Sequence, residues 1–363
     1  MSLIHSYQTF RSPDALVTPA QILVVLPLVL AGPSGHEPLP EGPARIRREA
    51  VAMGTRLIVT VDARSRAEAL GATEAAVDAV KRVDALLTTW DRGSVLSRLN
   101  AAPLGQMEVP PSSVSDLLAK AEAWARRTGR AFDPSVGALI DAWDLRGVGR
   151  RPDAASLAAA LESTGIRGIH VDPVTGSVVR FRESAWLDSG GFGKGAALEA
   201  AGAALRARGI HSATVDLGGQ VLAVGSPRDD PEGWRVAVAH PIHRDRAVVA
   251  LRLRSVSAAT TGASERGVTV DGERLGHVVD PRTGLPVPAW GSVTVVTDDP
   301  VEADILATAL FVMGPDEALA WARKRPSLAV LVLESTNAGI RPRWTLAMER
   351  WLSDGRSVSQ PST

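Results

Sequence analysis

The sequence predicts an α+β fold, a mixed α/β sandwich forming a single large domain, and three observations carry that expectation. Strand-like runs and amphipathic helices are interspersed without the strict βαβ alternation of a doubly wound parallel sheet. No internal repeat and no linker divides residues 46–350. Apolar residues make up 45% of the 363, enough for a sizeable core.

The elements follow in chain order. Residues 56–61, RLIVTV, alternate as a strand does. Between residues 65 and 88, Ala69, Ala76, Val80, Val83 and Leu87 fall on one stripe of a long helix. A second helix runs through Leu117 and Trp124, with Ser113 or Ser115 as its cap and Gly129 near its end. A third begins after the glycines at 190, 191 and 193 and stops near Gly209. Strands are expected at residues 212–216, 221–224, 234–239, 247–253 and 292–297. Asp299 and Pro300 supply a helix start, Gly314 its stop, and residues 328–333 a late strand.

Forty basic residues balance forty acidic ones, which leaves no global electrostatic case for nucleic acid or an anionic membrane. The absence of cysteine excludes disulfides, thiolate metal sites, a cysteine nucleophile and a lipidated N-terminal cysteine. Residues 1–45 form an N-terminal segment in which 20–31, AQILVVLPLVLA, has the length of a signal-peptide core. It reads as an export signal that sends the domain at 46–350 to the cell envelope. An unprocessed appendage on a cytoplasmic protein is the alternative. Residues 351–363 form a tail, and nothing after residue 31 reads as a membrane span.

Six segments concentrate chemistry-bearing residues. GHVVDPRTGLP at 276–286 is a rigid turn: Pro281 fixes its own φ and biases Asp280 towards extended backbone, while Gly284 permits φ > 0. His277 sits at its mouth, as part of an active site or simply beside a well-made loop. TTWDRGSVLSRLN at 88–100 carries Trp90, a core aromatic or a platform for a flat heterocycle. AFDPSVGALIDAWDL at 131–145 reads as an Asp-Pro turn capped before a helix. LDSGGFGKGAALEAA at 187–201 joins a strand end to a helix start through glycines and Lys194, which suits a phosphate or a tight packing turn. VDLGGQVLAVG at 215–225 fits a hairpin. EADILATAL at 302–310 sets Asp304 and Thr308 on one helix face, as hard oxygen ligands for Mg²⁺ or as ordinary helix-end interactions.

Taken in this order, and with MGT at 53–55, the segments resemble the ApbE family of FAD:protein FMN transferases from Met53 to about Gly314. The resemblance implies an Mg²⁺-dependent enzyme that moves FMN from FAD to a threonine hydroxyl of a partner protein and releases AMP. By the same resemblance Met53, Trp90, Ala131, Phe132, Asp133, Asp188, Lys194 and the backbone at Val279 contact FAD. Asp304 and Thr308 hold the metal through their side chains and Gly191 through its carbonyl. His277 is the general base, and the ordinary imidazole pKa of about 6.5 suits that task. Asp280 and Arg282 fix the loop beneath it, and Thr261 and Gly262 form the opposite wall. The implied partner carries a Ser/Thr-Gly-Ala-Thr-type segment, and any membrane association comes through the N-terminal segment or that acceptor. The chain departs from the family pattern at Trp90, where tyrosine is common, at Ser189 and Gly193, and at His240. Two further readings stay open: an FAD pyrophosphatase giving FMN and AMP, and a non-catalytic flavin-binding protein.

Overall fold

The alternation at residues 56–61 belongs to a longer hairpin of β1 (Ala44–Ala52) and β2 (Thr55–Ala63). The computed structural model describes residues 42–262 and 267–353, so the apolar run at 20–31 lies outside the described residues. The hairpin turns through Met53 and Gly54 with φ of 52° and 68°, the left-handed pair that a two-residue turn between twisted strands requires. α1 (Arg66–Leu87) is capped by Ser65, whose hydroxyl accepts from Glu68 N. α2 (Val95–Asn100) and the short β3 (Met107–Glu108) lead to α3 (Ser112–Arg127). Here the sequence reading needs correction: Pro111 occupies the N-cap, no side chain caps the helix, and the Ser115 hydroxyl donates to the Ser112 carbonyl.

Beyond Gly129 come α4 (Gly137–Ala142), α5 (Ala154–Glu162), β4 (Ile169–Val171) and β5 (Val178–Arg180). α6 (Gly193–Ala207) begins on the last glycine of its loop. β6 (Ser212–Leu217) and β7 (Gln220–Gly225) form the hairpin expected of VDLGGQ, with Gly218 and Gly219 both at positive φ. β8 (Trp234–Ala239) pairs with β9 (Ala247–Leu253), and β10 (Ser257–Gly262) is followed by the ribbon β11 (Gly267–Val270) and β12 (Glu273–Gly276). The chain closes with β13 (Gly291–Thr297), α7 (Pro300–Met313), α8 (Pro315–Arg323), β14 (Ala329–Thr336) and β15 (Gly339–Trp344).

Eight strands make one antiparallel sheet in the order β1-β2-β6-β7-β10-β13-β14-β15. Period-two alternation divides its side chains between two cores. Leu222 and Val224 of β7 face the layer of α1 and α6, whereas Val221 and Ala223 face the β8–β9 hairpin. On β14, Val330 and Val332 meet the α7 layer, while Leu331 and Leu333 meet the hairpin. This α+β sandwich agrees with the fold class expected from sequence. Among the described residues, no helix is long and apolar enough to cross a membrane.

α7 decides where the site sits. Every residue from Pro300 to Met313 is buried except Glu302 and Thr308. Asp299 holds its first turn, accepting from Val301 N at 2.9 Å and Glu302 N at 3.1 Å, so the Asp-Pro start is realised. Asp304 is the one ionisable side chain among the buried positions of that helix, and it points to the start of α6.

Candidate functional site

A buried carboxylate needs partners, because leaving one unpaired costs several kcal/mol or forces protonation. Asp304, 2% exposed, has two: Lys194 Nζ at 3.2 Å from Oδ1, and the Gly195 N–H at 2.9 Å from Oδ2. Gly195 makes the second possible. A Cβ there would stand 2.4 Å from the Pro300 carbonyl oxygen and 2.6 Å from Val301 Cα, so only glycine lets α6 approach the start of α7 this closely. Thr308, one turn on, donates its hydroxyl back to the Asp304 carbonyl at 3.1 Å. It faces Gly191, where a Cβ would lie 3.3 Å from Thr308 Oγ1.

Above this group opens a pocket of about 110 Å³ that is open to solvent on one side. Ala131, Phe132, Asp133, Asp188, Gly191, Lys194, Thr261, His277, Val279 and Thr308 all line it, although they come from widely separated segments. Val136, Ile140, Gly190, Val278 and Pro281 complete the lining.

Each wall is locked from behind. In the turn below His277, Arg282 Nε donates to Asp280 Oδ1 at 2.9 Å, and Gly284 N donates to the Asp280 carbonyl at 2.8 Å. Gly284 has φ of 75°, and the buried Trp143 donates from Nε1 to its carbonyl at 2.7 Å. Asp280 beside its guanidinium raises the Arg282 pKa above the ordinary value. The strand end before the glycine loop is gripped by Asn100, which donates to the Leu187 carbonyl and accepts from Leu187 N.

Two sequence readings narrow here. The phosphate-loop reading relies on free backbone N–H groups, yet Gly190 N donates to Asp188, Phe192 and Gly193 to the Ser189 carbonyl, and Gly195 to Asp304. Lys194 is the one cationic side chain of the loop, and its ammonium pairs with Asp304. Asp133 lines the pocket, but its carboxylate accepts from Ser135 N and Oγ and from Arg130 Nη1, so it organises the loop.

A sequence model of the ApbE family matches residues 53–332. The chain belongs to the ApbE family. It is 30% identical over 293 residues to an FAD:protein FMN transferase of Klebsiella pneumoniae, covering 78% of this chain and 82% of the relative. A transferase of the same name from Treponema pallidum is also 30% identical, over 312 residues, covering 80% and 86%. The solved flavin transferase ApbE of Vibrio cholerae superposes with a TM-score of 0.75 at 25% identity, covering 85% of this chain and all of that one.

Two expected FAD contacts of this ApbE-family chain stand outside the pocket lining. Met53 occupies the β1–β2 turn, its N–H donating to Asp84 at 2.8 Å, and its Cε would stand 3.0 Å from a Cβ on Gly193. Trp90 is 77% exposed, which excludes the core reading of that residue. Arg146, which sequence reasoning passed over, reaches Asp188, Thr89 Oγ1 and the faces of Trp90 and Trp186. Nothing in the spacing of 131–145 announces it, because all of its partners are distant in sequence.

Proposed function

We propose that this chain transfers FMN from FAD to a threonine hydroxyl of a partner protein, with Mg²⁺ bound and AMP leaving. The observation that supports this reading is the meeting of His277, Lys194, Gly191 and Thr308 around one pocket, with Asp304 directly behind Lys194. Its relatives from Klebsiella pneumoniae and Treponema pallidum, both FAD:protein FMN transferases, support FAD as donor, FMN as the group moved and a protein as acceptor.

The residues fit Mg²⁺ by the chemistry of their donors. Among the described residues no group of three His, Cys, Asp or Glu side chains could hold a metal. One buried carboxylate, one hydroxyl and one backbone carbonyl are hard oxygens, the set Mg²⁺ accepts when waters and substrate phosphates complete its shell. Bound there, Mg²⁺ would neutralise pyrophosphate oxygens and the charge developing on AMP. Lys194 adds a positive charge beside the same phosphates. His277 takes the proton of the acceptor hydroxyl, whose oxygen then bonds to the FMN phosphorus as the bond to the bridging oxygen breaks. The locked turn under His277 supplies position, which is most of what phosphoryl transfer asks of a protein.

The test is incubation with FAD, Mg²⁺ and an acceptor carrying a Ser/Thr-Gly-Ala-Thr segment, followed by intact-mass analysis. Covalent gain of FMN, abolished in Asp304→Ala and His277→Ala, is expected. An FAD-loaded preparation that modifies no suitable acceptor would refute the transfer. AMP released without any acceptor would favour hydrolysis, and FAD left intact would favour simple binding. Export through residues 20–31 belongs to the same proposal, and N-terminal sequencing of the protein recovered from cells checks it.

A further inference from the structure

Arg146 follows α4 and ties three separate stretches together. Its guanidinium carbon lies 4.4 Å from the centroid of Trp186 and 5.1 Å from that of Trp90. Nη2 bonds Asp188 Oδ1 on the glycine loop, and Nη1 donates to Thr89 Oγ1 at 2.8 Å. Trp186 is itself fixed: Nε1 donates to Asp141 at 2.7 Å, and its ring presses so closely on Gly137 that a Cβ there would stand 2.1 Å away. The guanidinium thus lies against two indole rings, one fixed in the fold and one largely exposed. Trp90, outermost and 77% exposed, has one face on Arg146 and offers solvent the rest of a large apolar ring.

A planar cation anchored at both ends is a good brace for an indole, since it stacks on the ring while its N–H groups fix its orientation. Asp188, the other end of the brace, lines the pocket. We propose that Arg146 is a positioning residue for FAD: it holds Trp90 so that the outer indole face receives a planar ring of the dinucleotide. The inference rests on FAD being the substrate, but not on transfer taking place. Arg146 touches no reacting atom and sets the affinity for FAD through Trp90.

Quenching of flavin fluorescence measures FAD affinity without an acceptor or turnover, so it is read separately from transfer. Arg146→Ala is expected to weaken FAD about fivefold, the scale of one cation–π contact, with turnover at saturating FAD within about twofold of wild type. Arg146→Lys keeps the charge, loses the planar fork, and is expected to match Arg146→Ala. Trp90→Ala weakens binding at least as much, and adding Arg146→Ala to it has no further effect. Melting temperatures verify folding, and Arg146→Lys carries the comparison should Arg146→Ala not fold. Losses that multiply in the double variant, full affinity in Arg146→Lys, tighter binding in Arg146→Ala or unchanged binding in Trp90→Ala would each overturn the proposal. Wild-type protein that binds FAD and transfers nothing refutes the transfer reading alone, whereas wild-type protein that binds no FAD overturns both.

Discussion

Gly195→Ala puts the closest contact of the site to the test. The added methyl would stand 2.4 Å from the Pro300 carbonyl oxygen and 2.6 Å from Val301 Cα, where ordinary contact begins at 3.4 Å. Both atoms are backbone, so no side chain can swing away, and α6 and α7 must separate by about 1 Å in a close-packed interior. A shift of that size breaks the 2.9 Å bond from Gly195 N to Asp304. Alanine gains up to about 1 kcal/mol of helix propensity. Against that stand about 1–3 kcal/mol for overpacking and about 1.5–3 kcal/mol for a lost hydrogen bond to a charged group. The variant should therefore be about 1.5–6 kcal/mol less stable, set against a typical domain stability of about 5–15 kcal/mol. With Asp304 in the Mg²⁺-holding role proposed for it, its displacement should also raise the Mg²⁺ concentration for half-maximal FMN transfer. Urea unfolding without flavin gives the first quantity and an Mg²⁺ titration the second. Wild-type stability together with an unchanged Mg²⁺ requirement would show that the α6–α7 contact does not position Asp304.

Further predictions concern strain and charge. Met53 holds φ of 52° at a turn position that asparagine fills more easily, so Met53→Asn should stabilise the protein by about 0.5–1 kcal/mol. It should also raise the KM for FAD, because the side chain beside Gly193 is lost; a less stable variant would argue against strain at this turn. Burial, then Asp299 and Asp298, hold the Glu302 carboxyl above the usual range. The folded protein binds that proton more tightly than the unfolded chain, so stability falls as pH rises from the ordinary carboxylate range through the raised value. Glu302→Gln should accordingly stabilise at about pH 7 and be neutral near about pH 4, as urea midpoints at the two pH values will show. Equal gains at both would refute the assignment. Asp299→Ala removes the α7 cap and should cost about 1 kcal/mol of stability, read from the same unfolding curves.

Periodicity and end signals carried much of the fold. β2 alternates, α1 has a clear stripe, and α7 is bracketed by Asp299-Pro300 and Gly314. β1 was not foreseen because its arginines and glutamate mask the pattern, and those charges suit the edge strand it proves to be. The α3 start misled because serines near a helix end look alike, and only the backbone shows Pro111 at the cap. At the pocket, the motif residues could be named from sequence, but the employment of their groups could not. The carboxylate of Asp133 is engaged by Arg130 and Ser135, and the N–H groups of Gly190, Phe192, Gly193 and Gly195 by acceptors within the fold, and neither engagement can be read from residue spacing.

The strand order has a consequence for the life of the chain before it works. β2 lies between β1 and β6, and Leu57 pairs with Leu217, so the first hairpin gains its inner neighbour only after more than half the chain has been made. The pocket waits longer still, since its walls run from Ala131 to Thr308. Such distant pairings fold slowly and late. The pocket therefore cannot be complete on a nascent chain until α7 has been made.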